Sequence, residues 1–129
     1  MTDFTIDFLD HVAIKVKDLH VSAEWYAKVL GLKKRQLPEW GDFPILMLAG
    51  KSGVALFPGT SKDADGRIDH FAFHVKAEQF ERAQKRYAEL GLTYSMEDHH
   101  YFHSLYTKDP DGYTVELTTL VVDEKQFYQ

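Results

Sequence analysis

Three residues stand out for the chemistry they can do together: His11, His70 and Glu116. Residues 9–17 read LDHVAIKVK and residues 68–76 read IDHFAFHVK; at an offset of 59 they share Asp, His, Ala, Val and Lys. Each segment alternates as a strand does. Val12, Ile14 and Val16 fall on one face and His11 and Ala13 on the other; Phe71, Phe73 and Val75 oppose His70 and Ala72 in the same way. Histidines at equivalent places of a repeat meet if the two copies are related by a pseudo-twofold axis. Further along, Thr114, Glu116 and Thr118 share a strand face opposite Val115 and Leu117. A carboxylate turned inward needs a partner, because an unpaired buried charge is costly, and a metal is one such partner. Two neutral imidazoles and one carboxylate, with the remaining positions open, form the facial donor set suited to Fe(II). Mn(II) fits the same ligands, and Zn(II), Ni(II) and Co(II) are alternatives. The first repeat supplies no fourth ligand: the position matching Glu116 at that offset is Phe57, beside Ala55 and Leu56.

The elements that must position these groups are legible in the same repeat. After the first strand, Leu19, Ala23, Tyr26 and Leu30 recur at helical spacing, with Asp18 as N-cap and Gly31 just past the end. Phe80, Ala83, Tyr87 and Leu90, closed by Gly91, repeat the pattern, and both helices end in Leu-Gly-Leu. Three short strands are expected after each helix, near 32–37, 44–49 and 53–57, then 92–96, 103–108 and 113–119, with turns at Lys-Ser-Gly 51–53 and Asp-Pro-Asp-Gly 109–112. The expected fold is α+β: tandem βαβββ repeats, 1–58 and 68–122, forming a curved mixed sheet around a metal-containing cavity, joined by a linker at 59–67 and followed by a loosely held tail at 123–129. Small Ala13 and Ala72 leave room beside the histidines. Open sheet edges and an apolar flank lead us to expect a twofold homodimer, with the site drawn from one chain or shared across two.

The bulk properties exclude other classes. A chain of 129 residues, 44% hydrophobic and 27% charged, has the mixture of an ordinary globule. A net charge of -5 argues against nucleic acid, which needs a concentrated basic surface. Cysteine is absent, so disulfides, thiolate nucleophiles and Cys-type zinc sites are excluded. No apolar run is long enough to cross a bilayer. The acidic start, with Asp3 and Asp7, lacks a signal-peptide layout, and the expected compartment is the cytoplasm. The expected partner is a small-molecule substrate.

The stretches LDHVAIKVKDLHVSAEWYAKVLGL, DHFAFHV and LYTKDPDGYTVEL resemble the vicinal oxygen chelate superfamily, which includes glyoxalase I, extradiol dioxygenases, and fosfomycin- and bleomycin-resistance proteins. The resemblance spans nearly the whole chain. It implies a metal held by His11, His70 and Glu116 and chelated by adjacent oxygens of a substrate. Glyoxalase I enzymes use four protein ligands, and only three are offered here. Fosfomycin-resistance enzymes carry a threonine where Ala13 stands and a phosphonate-binding lysine near Met96. The segment DHHYFHSLYTKDPDGYTVEL is most similar to extradiol ring-cleaving dioxygenases, in which a histidine and a tyrosine precede the metal-binding glutamate; the matching residues are His99 and Tyr106. Histidine suits proton transfer near neutral pH. Tyr106 shares strand parity with Ser104 and Lys108, and its hydroxyl would bond a chelated substrate oxygen. Trp40, Phe43, Met47 and Phe57 are the expected pocket walls. A glyoxalase-like isomerase or lyase, a fosfomycin-type thiol transferase, and a ligand-sequestering protein without turnover are the alternatives.

Overall fold

The computed structural model describes residues 8–59, 68 and 70–127. Asp3, Asp7, the last two residues of the tail and, apart from Gly59 and Ile68, everything between the two repeats lie outside the described residues, as does Asp69. The chain divides into two compact units, Met1–Asp63 and Ala64–Gln129.

The first unit runs β1 (His11–Val16), α1 (Leu19–Leu30), β2 (Lys33–Arg35), a 3-10 turn at Pro38–Trp40, β3 (Ile45–Ala49) and β4 (Ser52–Pro58). Its sheet order is β1-β4-β3-β2, with β1 and β4 parallel and the other pairs antiparallel. Asp18 caps α1, accepting from the N–H groups of His20 and Val21 at 3.0 and 3.1 Å. The helix stops at Gly31, whose φ of 68° is open to glycine at little cost. Ser22, Ala23, Tyr26 and Val29 form its buried stripe. They meet Ile14, Val16, Ile45, Met47, Val54 and Leu56, the core of this unit.

The second unit repeats the plan: β5 (His70–His74), α2 (Ala77–Glu89), β6 (Tyr94–Asp98), β7 (Phe102–Lys108) and β8 (Thr114–Leu120), in the order β5-β8-β7-β6 with β5 and β8 parallel. The tail expected to be loose carries a one-turn helix, α3 (Glu124–Phe127), started by Asp123, whose carboxylate accepts from the N–H of Lys125 at 2.8 Å. Phe80 and Tyr87 of α2 are buried, as are Leu105, Val115 and Leu117 on the strands.

Strand pairing refines the repeat. Ala72 faces Glu116 across β5–β8, and Ala13 faces Ala55 across β1–β4. The counterpart of Glu116 is therefore Ala55 rather than Phe57. The slip of two residues comes from a helix one residue longer (13 against 12) and a longer β7–β8 turn. That turn fixes the register. Asp109 is 5% exposed, and its carboxylate accepts from the N–H groups of Asp111 and Tyr113, both at 2.9 Å. The Gly112 N–H bonds the Asp109 carbonyl at 3.0 Å, with φ at 89°. Tyr106 is thereby set opposite Glu116. Asp109→Ala strands two N–H groups, and we expect a loss of about 1–2 kcal/mol in urea unfolding; a value indistinguishable from zero would show that the turn does not depend on the carboxylate.

Tyr87 supplies a second test. Its ring is 6.0 Å from that of Tyr94, and its hydroxyl is buried with no hydrogen-bond partner among the described residues. Burial pushes the phenol well above the ordinary tyrosine range. The native state thus holds a proton that the unfolded chain releases near pH ~10, so this contribution is complete below that pH and declines as pH rises above it. Tyr87→Phe should stabilise by about 1 kcal/mol at neutral pH and flatten the alkaline decline in urea midpoint between about pH 9 and 11. A variant less stable than the wild type at neutral pH would contradict this account of the hydroxyl.

Candidate metal and proton-transfer site

One face of the second sheet collects the polar groups. Parity and register place His70, Thr114 and Lys108 in one row across β5, β8 and β7, then Ala72, Glu116 and Tyr106, then His74, Thr118 and Ser104. Ser95 and Glu97 of β6 continue the second and third rows. The opposite face carries Phe71, Phe73, Val115, Leu117 and Leu105, the residues turned toward α2.

Glu116 is the centre of this face and is only 4% exposed. Its Oε1 lies 3.1 Å from His70 Nε2, and its Oε2 accepts from Ser104 Oγ at 2.5 Å. Ser104 is fully buried, so its hydroxyl has a fixed job: it aims the carboxylate and leaves Oε1 to the histidine side. Sequence reasoning placed Ser104 on this face through its parity with Tyr106 but gave it no role; only the strand pairing reveals the contact.

The Tyr106 hydroxyl is 2.8 Å from His99 Nε2. The same nitrogen lies 3.4 Å from Glu97 Oε2. Partial burial and the Glu116 and Glu97 carboxylates raise the Tyr106 pKa, the Ser104 hydroxyl opposing them, so at neutral pH the phenol keeps its proton. The β6–β7 loop brings His99 back over β7. Its N–H bonds the Phe102 carbonyl at 2.8 Å, His100 takes a φ of 74°, and the Asp98 carboxylate accepts from the His100 N–H at 2.9 Å. A left-handed non-glycine residue costs about 1–2 kcal/mol, a cost the loop carries while the His99 ring packs 5.1 Å from Phe102.

In the first unit, His11 opens β1 as His70 opens β5. Its Nδ1 is 2.8 Å from Asp10 Oδ2. Ala13, Ala55 and Phe57 share its face, and Phe57 packs edge-on against Phe43 at 6.3 Å. Trp40 sits in the 3-10 turn and is exposed, as is Phe43. Met47 does not belong with them. It pairs with Val54, shares the Ile14 side and is fully buried, so it is a core residue beneath α1. Leu46, opposite Ala55, holds the place on the histidine face.

The donor chemistry fits a divalent metal. His70 Nε2 and Glu116 Oε1, an imidazole nitrogen and a buried carboxylate oxygen 3.1 Å apart, are donors of the types such an ion takes. An orienting hydroxyl on the far carboxylate oxygen and an aspartate on the far ring nitrogen of His11 are the supports that metal ligands commonly carry. Among the described residues, no group of three or more His, Asp and Glu side chains stands close enough to hold a metal. Because Ser104 orients Glu116, Ser104→Ala should weaken Mn(II) affinity about 10–100-fold in a titration followed by electron paramagnetic resonance; unchanged affinity would remove this role.

Residues 8–117 match the sequence model of the glyoxalase/bleomycin resistance protein/dioxygenase superfamily. The chain belongs to that superfamily, and its two βαβββ units are the superfamily's fold. It is 27% identical over 113 residues to the glutathione transferase FosA of Serratia marcescens, covering 84% of this chain and 78% of that protein. A glyoxalase/dioxygenase from Nostoc punctiforme superposes with a TM-score of 0.74 at 18% identity, over 95% of this chain and 100% of that one. The fosfomycin resistance protein FosX from Mesorhizobium loti gives a TM-score of 0.71 at 24% identity, over 95% and 99% of the two chains. The superfamily is largely enzymatic, and its members commonly use divalent metals and bind small molecules. Among the described residues, no helix is long and apolar enough to cross a membrane.

Proposed function

We propose that this chain is a subunit of a metal-dependent enzyme acting on a substrate with two adjacent oxygens, and that its reaction is extradiol cleavage of a catechol-like ring. The observation that carries this reading is one sheet face on which His70 and Glu116 present donor atoms 3.1 Å apart beside a tyrosine and histidine 2.8 Å apart. His70 and Glu116 would hold Fe(II) or Mn(II), with His11 of the same chain or of a second copy as third ligand. When bound, the ion supplies Lewis acidity that makes a chelating hydroxyl more acidic.

The chain's own residues do the rest. Tyr106, protonated at neutral pH, donates to an oxygen of the bound substrate and orients it. His99 carries a proton at Nε2 and donates it to the Tyr106 oxygen 2.8 Å away, so a proton passes from Nε2 through the phenol to the substrate oxygen and returns by the same path. Ala72, opposite Glu116, leaves space for a ring over β5 and β8. Phe57, on the His11 face of the first unit, and Phe43 packed against it are proposed as aromatic groups that contact substrate. A twofold homodimer is proposed as the working assembly, to be read by light scattering.

A second reading is favoured by the 27% identity to a glutathione transferase: transfer of a thiol to a small metal-chelating molecule. Two positions weigh against it. Ala13 offers no hydroxyl beside His11, and Met96 pairs with Leu105 on the sheet's other face, away from Tyr106. The deciding experiment is anaerobic loading with Fe(II), then oxygen uptake with a panel of catechols, run beside fosfomycin plus glutathione. Oxygen consumption with one product per ring supports the dioxygenase. Turnover of fosfomycin alone overturns it in favour of the transferase, and no turnover of either by loaded protein would leave a binding protein.

A further inference from the structure

Lys108 is a cation on the site face that the reading above leaves without a task. It shares strand parity with Tyr106 and Ser104 and lies in the row of His70 and Thr114. Its Nζ is 2.6 Å from Thr114 Oγ1, so the exposed side chain leans from β7 toward β8. Among the described residues, it has no carboxylate partner, although Glu116, Glu97 and Asp98 are all in the same unit. A neutral hydroxyl positions the ammonium and does not neutralise it. Neighbouring strands are about 4.8 Å apart and alternate residues of a strand about 6.8 Å apart. An ammonium held over Thr114 is thus about one strand from the His70 backbone and about two residues along β8 from Glu116. A substrate gripped at His70 and Glu116 with an anionic substituent one aromatic ring away would set that anion against Lys108.

We infer that Lys108 is a specificity residue and that the substrate carries a negatively charged group, such as a carboxylate, on the body that bears its adjacent oxygens. The inference rests on the metal reading of His70 and Glu116 and deepens it. Thr114 holds the ammonium in place so that little side-chain freedom is lost when the anion arrives.

The test uses the full chain loaded anaerobically with Mn(II), with metal retention read by electron paramagnetic resonance and ligand binding by calorimetry. The matched probes are catechol and 3,4-dihydroxybenzoate, which differ by one carboxylate. The wild type should bind the carboxylated probe tighter by about tenfold or more, as a charge-assisted hydrogen bond would give. Lys108→Gln should bring the ratio close to one while leaving catechol affinity and Mn(II) retention unchanged, and Lys108→Arg should keep most of the preference. A ratio unaltered by Lys108→Gln, or no preference in the wild type, overturns the inference and leaves the metal reading standing. Failure of the wild type to retain Mn(II) overturns both.

Discussion

Alanine at position 116 is expected to abolish retention of a divalent ion while leaving the metal-free chain folded. Glu116 is buried with a histidine on one oxygen and a serine on the other. Its removal strands the Ser104 hydroxyl, an orphaning that costs about 1–3 kcal/mol. The same removal relieves the cost of keeping a carboxylate away from water, a penalty of several kcal/mol per buried ion. The two terms oppose each other, so metal-free stability should change by only about 1–2 kcal/mol. The metal term has no such compensation. An ion at a hundred times its dissociation constant stabilises the native state by about 2.7 kcal/mol. Thermal unfolding with and without Mn(II) should therefore show a clear upward shift in the wild type and none in Glu116→Ala. An equal shift in both proteins would place the ion elsewhere.

The second large effect is kinetic. His99→Ala and Tyr106→Phe should each lower kcat about 100- to 10,000-fold, the usual range for a positioned proton-transfer group, with Mn(II) retention unchanged. The two losses should not add, because the phenol and imidazole act through one 2.8 Å bond. With its pKa raised by burial and by Glu116 and Glu97, Tyr106 keeps its proton through neutral pH. Any alkaline fall in kcat owed to Tyr106 should begin above the ordinary tyrosine value of about 10 and vanish in Tyr106→Phe. If His99→Ala retains full turnover, the proton passes elsewhere.

Much of the fold was readable because the chain states its plan twice. Asp18 and Gly31 bound α1 where the cap residues indicate, and both helices lie where their apolar spacing requires. The Asp109-Pro110-Asp111-Gly112 turn lies where its residue types place it. The parity of Thr114, Glu116 and Thr118 set the face of the glutamate, because alternation within one strand needs no tertiary information. Matching across strands is harder. One extra residue in α2 and another in a turn moved the counterpart of Glu116 from Phe57 to Ala55, since repeat alignment carries each insertion downstream. Met47 was misplaced for a related reason. β3 follows an irregular stretch of the chain, so its faces are set by pairing with Val54 and Leu56, not by a pattern that begins at Trp40. Ser104 was invisible as a carboxylate partner because a serine among Phe102, His103 and Leu105 has no distinguishing signal until the register is known.

The metal centre itself is tested most directly by counting histidine nitrogens on the ion. Electron spin-echo spectroscopy of the Mn(II)-loaded chain, prepared with natural-abundance and with 15N-labelled histidine, reads imidazole nitrogens bound to the metal. The account predicts two, falling to one in His11→Ala and to one in His70→Ala, with the signal unchanged in His99→Ala. A bound ion with no histidine nitrogen, or one whose spectrum is indifferent to both His11 and His70, would contradict it.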